Sequence, residues 1–391
     1  MFEYQYLIVG GGMTADAAVR GIREVDKNGS IGLIGSEPDA PYNRPPLSKG
    51  LWKGDPIDSI WRETGKEGVV LHLGRKAQVL DVLHKHVTDD QGELYAYGKL
   101  LLATGGTPRR LPDEAPIIYY RTVEDYRRLR AMASEHSKFV VVGGGFIGSE
   151  VAAALAMNGR QVTLIFPEGG IGSRVFPADL AEYLNSFYRE KGVEVLTGER
   201  IAGARADGSG VVVKTGSGRE ITADGVVAGL GIVPNVELAQ AAGLKGENGI
   251  VVDEFLRTSQ PDVYAAGDVA AFLNPALSKR IRVEHEDNAN TMGAVVGRNM
   301  AGHASPYDHL PSFYSDLFDL GYEAVGELDS RLGTYADWKE PFREGVVYYL
   351  QSGKVRGVLL WNVWGKVDAA RELIAEPGPF RGADLKGRIS G

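Results

Sequence analysis

The sequence predicts an α/β fold with two βαβ units and a smaller α+β domain towards its C-terminal end. Two apolar runs break into glycine-rich turns and continue into small-residue helix starts, at Tyr6–Ala18 and Phe139–Leu155. Such a turn places a dinucleotide pyrophosphate at the N-terminus of a helix. Further along, two adjacent strand-like runs, Gly345–Leu350 and Val355–Trp361, precede a helical pattern at Val367–Ile374. We therefore predict two Rossmann-like dinucleotide-binding domains, two bound nucleotides and a small C-terminal α+β domain.

The first βαβ unit begins near the N-terminus. After its glycine turn the sequence predicts a helix at Ala15–Val25 and a strand at Ile31–Ile34. The loop Pro41–Gly50 contains too much proline for a helix or a central strand. Short alternating segments over Val69–Val87 predict an antiparallel excursion, and Lys99–Gly106 predicts a buried strand that ends in a turn.

The second βαβ unit follows a linker at Thr107–Pro116 and a helix at Val123–Ala133. Further strands are predicted at Gln161–Phe166, Val193–Leu196, Gly210–Thr215 and Gly225–Ala228. The segment Asp262–Ala270 and a helix that begins near Glu286 are predicted to belong to the first domain again. The predicted division is a first dinucleotide-binding domain at 1–115 and 247–305, a second at 116–246, and a C-terminal domain at 306–391.

Composition narrows the classes of function. The chain has 43 basic and 51 acidic residues, a net charge of −8, which disfavours general nucleic-acid binding. We find no apolar run near the roughly 20 residues of a membrane span and no signal-peptide pattern, so we expect a soluble, cytoplasmic protein. The absence of cysteine excludes disulfides, thiolate catalysis and cysteine-ligated clusters. Any redox centre is therefore expected to be an organic cofactor.

The first turn carries a nucleotide fingerprint. Gly10, Gly12 and Ala15 occupy the positions of the tight turn, the close approach to phosphate and the helix–strand contact. Glu37 follows the second strand, where a carboxylate accepts hydrogen bonds from an adenosine ribose. The alternative is a plain glycine turn with an exposed acid, which the flanking strand and helix disfavour.

The second turn keeps three glycines, Gly143, Gly145 and Gly148. Its acid, Glu168, comes slightly late after the next strand. A carboxylate there repels a 2′-phosphate and favours NADH over NADPH. Arg174 leaves NADPH open, because a nearby arginine can accommodate that phosphate.

Five motifs occur in order along nearly the whole chain. They are PYNRPPLSKGLW (Pro41–Trp52), LLLATGG (Leu100–Gly106), GGGFIGSE (Gly143–Glu150), GLGIVPN (Gly229–Asn235) and YAAGDVA (Tyr264–Ala270). This set resembles the FAD-dependent pyridine nucleotide-disulfide oxidoreductase superfamily, whose dinucleotide-binding domains are of the glutathione reductase type. More narrowly, it is similar to the branch of ferredoxin and rubredoxin reductases and apoptosis-inducing factor. The resemblance implies FAD on the first unit, NAD(P)H on the second and a C-terminal cap over the flavin.

The fingerprints and the resemblance together define the expected site residues. On the FAD side these are Gly10, Gly12, Met13, Thr14, Ala15, Glu37, Arg44, Lys49, Ala103, Thr104, Gly105, Gly267, Asp268, Glu284, His285 and Tyr314. On the NAD side they are Gly143, Gly145, Phe146, Ile147, Gly148, Glu150, Glu168, Arg174 and Gly231. No histidine spacing indicates a metal site.

The resemblance also implies roles for the expected catalytic residues Lys49, Glu150 and His285. Glu150 pairs with Lys49 near flavin N5, and Arg44 and Lys49 face the flavin and favour its reduced form. The helix after His285 directs its N-terminal dipole towards the pyrimidine edge of the flavin.

Three further residues have implied contacts. Asp268 bonds the ribityl chain, and Glu284 contacts the nicotinamide carboxamide. Tyr314 stands where many relatives have tryptophan, which leaves open how well it stacks on the flavin.

The predicted function is an FAD-dependent oxidoreductase that takes hydride from NADH onto flavin N5 and reduces a small carrier of ferredoxin, Rieske or rubredoxin type. The absence of cysteine excludes the disulfide-reducing branches of the superfamily. Basic candidates for docking the carrier are Arg109, Arg110, Arg127, Arg128 and Arg130. The alternative is an apoptosis-inducing-factor-like NADH sensor with a long-lived charge-transfer complex and slow turnover. We predict neither nucleic acid nor membrane as a partner, and a homodimer is left open.

Overall fold

The computed structural model describes residues 1–112, 115–208 and 210–389. The chain forms two compact units, each built from three segments. The first unit comprises Met1–Arg44, Asp58–Thr107 and Val233–Pro311, and the second comprises Pro45–Ile57, Pro108–Ile232 and Ser312–Gly391. The predicted domain limits at 115, 246 and 305 stay predictions, and part of the predicted linker, Asp113 and Glu114, lies outside the described residues.

A mixed sheet forms the core of the first unit. Its strands lie in the order Val69–Leu73, Ile31–Gly35, Phe2–Val9, Leu94–Leu102, His86–Asp89 and Ala77–Asp81, and Val263–Ala265 pairs with Leu94–Leu102. Phe2–Val9 runs parallel to both neighbours, with Tyr6 opposite Ile31 on one side and Lys99 on the other. Leu7 and Ile8 in this strand are fully buried, as expected for a parallel strand covered on both faces.

One sequence prediction about this sheet is wrong. Val69–Leu73 does not belong to an antiparallel excursion, because it pairs in parallel with Ile31–Gly35. Ala77–Asp81 pairs antiparallel with His86–Asp89, which in turn pairs antiparallel with Leu94–Leu102. The strand lies at the edge of the sheet and is partly exposed, so its sequence resembles that of a hairpin strand.

Two helices of the first unit pack closely together, Met13–Val25 and Glu286–Met300. A Cβ atom on Gly297 would lie 2.1 Å from the Ala18 carbonyl oxygen, so glycine is needed for this approach. The unit also has a four-stranded sheet made of Gly246–Glu247, Gly249–Val251, Ala270–Asn274 and Lys279–Ile281. Its short helical segments include Thr64–Glu67, Glu237–Ala241 and Gly267–Val269.

The second unit contains the other βαβ arrangement. Its parallel sheet has the order Val193–Thr197, Gln161–Phe166, Lys138–Val142, Gly225–Ala228 and Ile117–Tyr119. Its helices are Val123–Glu135, Phe146–Met157 and Ala178–Glu190, and a small sheet is made of Ile201–Asp207, Gly210–Thr215 and Glu220–Ala223. Helix Ala178–Glu190 was not predicted from the sequence, because its N-cap is Pro177 and carries no polar capping side chain.

The C-terminal segment of the second unit confirms the predicted α+β domain. An antiparallel sheet has the order Ser312–Leu317, Leu320–Gly326, Lys354–Trp361, Glu344–Gln351 and Gly333–Glu340. Helices Val367–Ala375 and Gly382–Leu385 follow it. The buried Trp361 stacks on Tyr322 with ring centroids 5.6 Å apart. Three of the five strands were not predicted, because only the last hairpin has a clear turn signal.

The proline-rich loop is a second correction. Pro45–Ser48 forms a 3-10 helix, although the proline content of Pro41–Gly50 argued against a helix there, and a short helix, Gly50–Lys53, begins where that loop ends. Proline is tolerated at the first helical position, where its missing N–H has no intrahelical partner.

Two short strands, Gly106–Pro108 and Ile232–Pro234, lie where the chain passes from one unit to the other. Among the described helices, none combines the length and apolar character that crossing a membrane requires.

Candidate cofactor sites and a buried lysine–glutamate pair

The first glycine turn has the geometry of a phosphate cradle. Gly10 has φ +127°, and a Cβ atom there would lie 2.0 Å from the carbonyl oxygen of Ala103. Gly12 is the N-cap of helix Met13–Val25, and a Cβ atom on it would meet no protein atom within 4 Å. The protein itself therefore requires glycine at Gly10, whereas Gly12 leaves its backbone open to a phosphate at a helix N-terminus.

A buried carboxylate lies one turn into the same helix. Asp16 accepts hydrogen bonds from Arg62 Nε at 2.7 Å, Arg20 Nε at 3.0 Å and Thr64 Oγ1 at 2.6 Å. Burial acts to raise the pKa of Asp16, but these hydrogen bonds outweigh it and the pKa lies below the ordinary value. Asp16 was not among the predicted site residues, and it holds helix Met13–Val25 to the segment around Thr64.

The carboxylate predicted to bind ribose is engaged by neighbouring side chains. Glu37 forms an ion pair with Arg44 and accepts a hydrogen bond of 2.5 Å from the Tyr42 hydroxyl. The Arg44 guanidinium also lies 4.9 Å from the centre of the Tyr42 ring. Arg44 is thus held at the end of the second strand, and its predicted contact with the flavin stays a prediction.

The turn Thr104–Gly105 is tied to Asn235. The Asn235 side chain donates to the Thr104 carbonyl at 2.8 Å, and Thr104 Oγ1 donates to the Asn235 carbonyl at 2.8 Å. The Asn235 amide donates to the Gly105 carbonyl at 2.9 Å. Asn235 ends the GLGIVPN motif, so the sequence contained a signal for this contact that was not assigned.

Arg282 connects two of the predicted site residues. Its Nη1 donates to the Asp268 carbonyl at 3.0 Å and lies 2.7 Å from Glu284 Oε1, while its Nε donates to Asn248 at 3.1 Å. The Arg282 side chain is 11% exposed. His285 follows Glu284 directly as the N-cap of helix Glu286–Met300. Sequence reasoning missed Arg282, although it lies two residues before Glu284.

Gly267 and Thr14 are also close in the first unit. A Cβ atom on Gly267, which has φ +77°, would lie 2.3 Å from Thr14 Oγ1. This brings the segment containing Asp268 against the helix that begins at Met13. The first glycine turn and the segment around Asp268, both predicted to bind FAD, therefore lie close together in the first unit.

The second glycine turn has a backbone geometry similar to that of the first. Gly143 has φ +109°, and its Cβ atom would lie 2.4 Å from the Gly229 carbonyl oxygen. A Cβ atom on Gly148 would lie 1.8 Å from the Gly143 carbonyl oxygen. Gly145 is the N-cap of helix Phe146–Met157, and its Cβ atom would meet nothing within 4 Å. This turn also fits a pyrophosphate at a helix N-terminus.

Glu168 and Arg174 are paired with each other. Arg174 Nη2 lies 2.6 Å and Nε 3.0 Å from Glu168 Oε1. Arg174 is 85% exposed and Glu168 only 27%. Arg174, which could accommodate the 2′-phosphate of NADPH, is therefore paired with Glu168, the acid that favours NADH.

The remaining predicted residues of the NAD side flank the second turn. Phe146 packs edge-on against Phe313 with ring centroids 5.4 Å apart. Ile147 is exposed at the start of the helix. Gly231 has φ +78°, and its carbonyl accepts a hydrogen bond of 2.9 Å from the Arg109 amide.

The structure brings Lys49 and Glu150 together. Lys49 Nζ lies 2.8 Å from Glu150 Oε2, with the side chains 11% and 3% exposed. Ser48 Oγ donates to the same oxygen at 2.6 Å, and Ser315 Oγ donates to Oε1 at 2.6 Å. Lys49 Nζ also lies 5.2 Å from the centre of the half-exposed Tyr314 ring. A buried glutamate thus has a cation and two hydroxyl donors around it.

The loop that carries Lys49 is anchored within the second unit. The Leu47 carbonyl accepts a hydrogen bond from Trp52 Nε1 at 2.8 Å and another from the Tyr120 hydroxyl. Asn158 Nδ2 donates to the Trp52 carbonyl at 3.1 Å. Burial raises the pKa of Tyr120, so its hydroxyl stays a donor. These contacts limit the movement of Lys49.

Among the residues that the structure describes, no group of three or more histidine and acidic side chains could hold a metal ion. The two glycine cradles and the buried pair define a class of protein, the oxidoreductases that bind two dinucleotides.

Comparison with known proteins identifies the family. Residues 4–293 match the family described as pyridine nucleotide-disulphide oxidoreductase, and 296–341 and 335–376 match the C-terminal domain of mitochondrion-associated apoptosis-inducing factor. The chain belongs to the pyridine nucleotide-disulphide oxidoreductase family. It is an NAD(P)H-dependent flavoprotein oxidoreductase with FAD and NADH as cofactors.

Individual relatives match over nearly the whole chain. It is 36% identical to mitochondrial apoptosis-inducing factor 1 of Dictyostelium discoideum, over 95% of this chain and 78% of that protein. It is 35% identical to the ferredoxin–NAD(+) reductase component of the anthranilate 1,2-dioxygenase system of Burkholderia cepacia, over 97% of both chains. A crystal structure of a covalent putidaredoxin reductase–putidaredoxin complex matches with a TM-score of 0.90 and 30% identity, over 98% of this chain and 95% of that one.

Proposed function

We propose that this flavoprotein takes hydride from NADH and passes electrons to a small one-electron carrier protein of ferredoxin, Rieske or rubredoxin type. The observation that carries the proposal is the pair of glycine cradles combined with the buried Lys49–Glu150 pair. FAD, when bound, accepts two electrons as a hydride and releases them singly, which links NADH to a one-electron acceptor. The similarity to a ferredoxin–NAD(+) reductase component over 97% of both chains supports this acceptor class.

We assign FAD binding to residues of the first unit. Gly12 and the first amides of helix Met13–Val25 hold the pyrophosphate, because the backbone there is open and the helix dipole favours anions. Glu37 accepts hydrogen bonds from the adenosine ribose, with Arg44 beside it. Asp268 holds the ribityl chain, and Arg282 fixes the backbone of Asp268.

We assign NADH binding to the second glycine turn. Gly145 and the start of helix Phe146–Met157 hold the pyrophosphate. Glu168 accepts hydrogen bonds from the ribose and repels a 2′-phosphate. Arg174, the cation that could bind such a phosphate, is already paired with Glu168. NADH is therefore the proposed donor.

The proposed role of Lys49 is to hold a positive charge in a fixed place during hydride transfer. Charge that develops in a dry site is stabilised by groups that are already oriented. Glu150 orients the ammonium, and the anchored loop limits its movement. Within the first unit, the proposed role of helix Glu286–Met300, whose N-cap is His285, is to favour the reduced flavin through the partial positive charge at its N-terminus.

Docking of an acidic carrier needs a basic surface. Three arginines proposed for it have neighbours within the second unit. Arg110 lies over Tyr119, Arg130 over Trp52, and Arg127 lies 3.6 Å from Glu124. Cytoplasmic location and a homodimer stay predictions.

Steady-state NADH oxidation with purified carriers tests the proposed function. We expect sustained turnover with a ferredoxin, Rieske-type protein or rubredoxin, at a rate that depends on carrier concentration and falls with salt. Turnover with artificial dyes alone would contradict the proposal.

A second candidate is an NADH-sensing protein similar to apoptosis-inducing factor. The match of 296–341 and 335–376 to the C-terminal domain of that protein favours it. Under this alternative, a long-wavelength absorbance band formed on adding NADH persists in air, and the sedimentation coefficient changes with it. Rapid loss of the band at constant mass would rule the alternative out.

A further inference from the structure

We propose that Ser48 and Ser315 are positioning residues that set the location of the Lys49 ammonium by fixing the Glu150 carboxylate. The inference deepens the proposed function, since it rests on hydride transfer at this site.

The two oxygens of Glu150 have different partners. Oε2 accepts from Ser48 Oγ at 2.6 Å and pairs with Lys49 Nζ at 2.8 Å. Oε1 accepts from Ser315 Oγ at 2.6 Å. Because Ser315 holds Oε1, the carboxylate plane has one orientation, and Oε2 faces the loop. Hydrogen bonds to a charged group are shorter and stronger than neutral ones, in keeping with both hydroxyl distances.

Three elements that are distant in sequence meet at this carboxylate. Glu150 lies on helix Phe146–Met157, Ser48 ends the 3-10 turn Pro45–Ser48, and Ser315 lies on strand Ser312–Leu317. Glu150 is 3% exposed and Ser315 fully buried. Because the carboxylate is almost fully buried, these protein donors orient it.

Each serine is adjacent in sequence to a residue that contacts the ammonium or carries it. Ser48 precedes Lys49 itself. Ser315 follows Tyr314, whose ring lies 5.2 Å from Lys49 Nζ. The C-terminal strand therefore contacts both members of the pair, Glu150 through a hydroxyl and Lys49 through an aromatic face. Displacing that strand, or removing the Ser315 hydroxyl, is expected to displace the ammonium.

The test weakens, keeps or removes each hydroxyl donor with a small change in side-chain volume. Ser315→Cys exchanges a strong donor for a weak one, and Ser315→Thr restores a hydroxyl. Ser48→Ala removes the second donor. Ser312→Ala is the matched control on the same strand, because its hydroxyl contacts Arg371 at 3.3 Å and not Glu150.

Two readouts are measured on the FAD-loaded protein. The first is the rate at which a small acylating reagent modifies Lys49, followed by peptide mass spectrometry and normalised to the exposed Lys66. This readout requires neither NADH nor a carrier. The second is single-turnover hydride transfer at several NADH concentrations, which separates the rate of transfer from nucleotide binding.

We expect Ser315→Cys and Ser48→Ala to change the rate of Lys49 labelling about fivefold and to slow hydride transfer about tenfold. The NADH concentration that gives half the maximal rate of transfer should stay within about twofold of the parent's. Ser315→Thr and Ser312→Ala should match the parent in both readouts. Unchanged labelling and transfer in Ser315→Cys, or equal effects in Ser315→Thr, would overturn the inference. Altered labelling in a protein that reduces no carrier would leave the inference intact while sinking the proposed function.

Discussion

Lys49 Nζ lies 2.8 Å from Glu150 Oε2, although the two residues come from different elements, a proline-rich loop and the helix after the second glycine turn. Both side chains are almost buried. Breaking a buried charge pair from one side leaves the other charge without compensation, which is more costly than removing both.

The first prediction concerns this pair. Glu150→Gln should lower the free energy of unfolding by about 3 kcal/mol, because the ammonium stays buried without a counter-charge. The double variant with Lys49→Met should recover much of that stability but not the rate of hydride transfer. Chemical denaturation and single-turnover kinetics measure the two effects. Full recovery of the rate in the double variant would contradict the role given to Lys49.

The second prediction contrasts two glycines of the first turn. Gly12→Ala should reduce FAD affinity at least about tenfold and destabilise the FAD-free protein by no more than about 1 kcal/mol, since a Cβ atom there meets no protein atom. Gly10→Ala should destabilise the protein itself, because of its φ of +127° and the 2.0 Å approach to Ala103. FAD content and thermal unfolding of the FAD-free protein distinguish the two. Retained FAD in Gly12→Ala would place the pyrophosphate elsewhere.

The third prediction concerns pH. The folded-state pKa of Asp16 lies below the ordinary value of 3.8, so its stabilising contribution is present above that value and is lost as the pH falls through the folded-state pKa. Asp16→Asn should lower the free energy of unfolding by about 3 kcal/mol at neutral pH and make the acid limb of the stability curve shallower. The exposed Asp308→Asn is the control. Parallel pH curves for Asp16→Asn and the parent would contradict the prediction.

The fourth prediction concerns the choice of nucleotide. Glu168→Ala removes the acid and releases Arg174, so the ratio of kcat/KM for NADPH over NADH should rise about tenfold. Glu194→Ala, which breaks a comparable exposed ion pair with Arg219, should leave the ratio unchanged. An unaltered ratio in Glu168→Ala would place the adenosine ribose away from this acid.

The fifth prediction concerns Arg282. Arg282→Met removes the hydrogen bonds to Asp268, Glu284 and Asn248, so FAD should dissociate about tenfold faster. Arg257→Met, at an exposed arginine of the same unit, is the control. Flavin fluorescence after dilution follows the release. Equal rates in the two variants would show that Arg282 does not support the FAD site.

The two glycine turns, the alternation of strands and helices around them, and the bounds of strands such as Gln161–Phe166 could be predicted from the sequence. These features are local, because a tight turn, a helix start and an apolar strand depend on a few consecutive residues. The pairing of Glu150 with Lys49 came only from resemblance to a family.

Other features became visible only in the folded chain: Ser48 and Ser315 complete the surroundings of Glu150, Arg282 links Asp268 to Glu284, and Asp16 is buried among its donors. The structure also assigns the loop Pro45–Ile57 to the second unit. These features share one cause. A buried polar group is stabilised by whichever donors the packing of distant segments brings to it, and the chain order does not specify those neighbours.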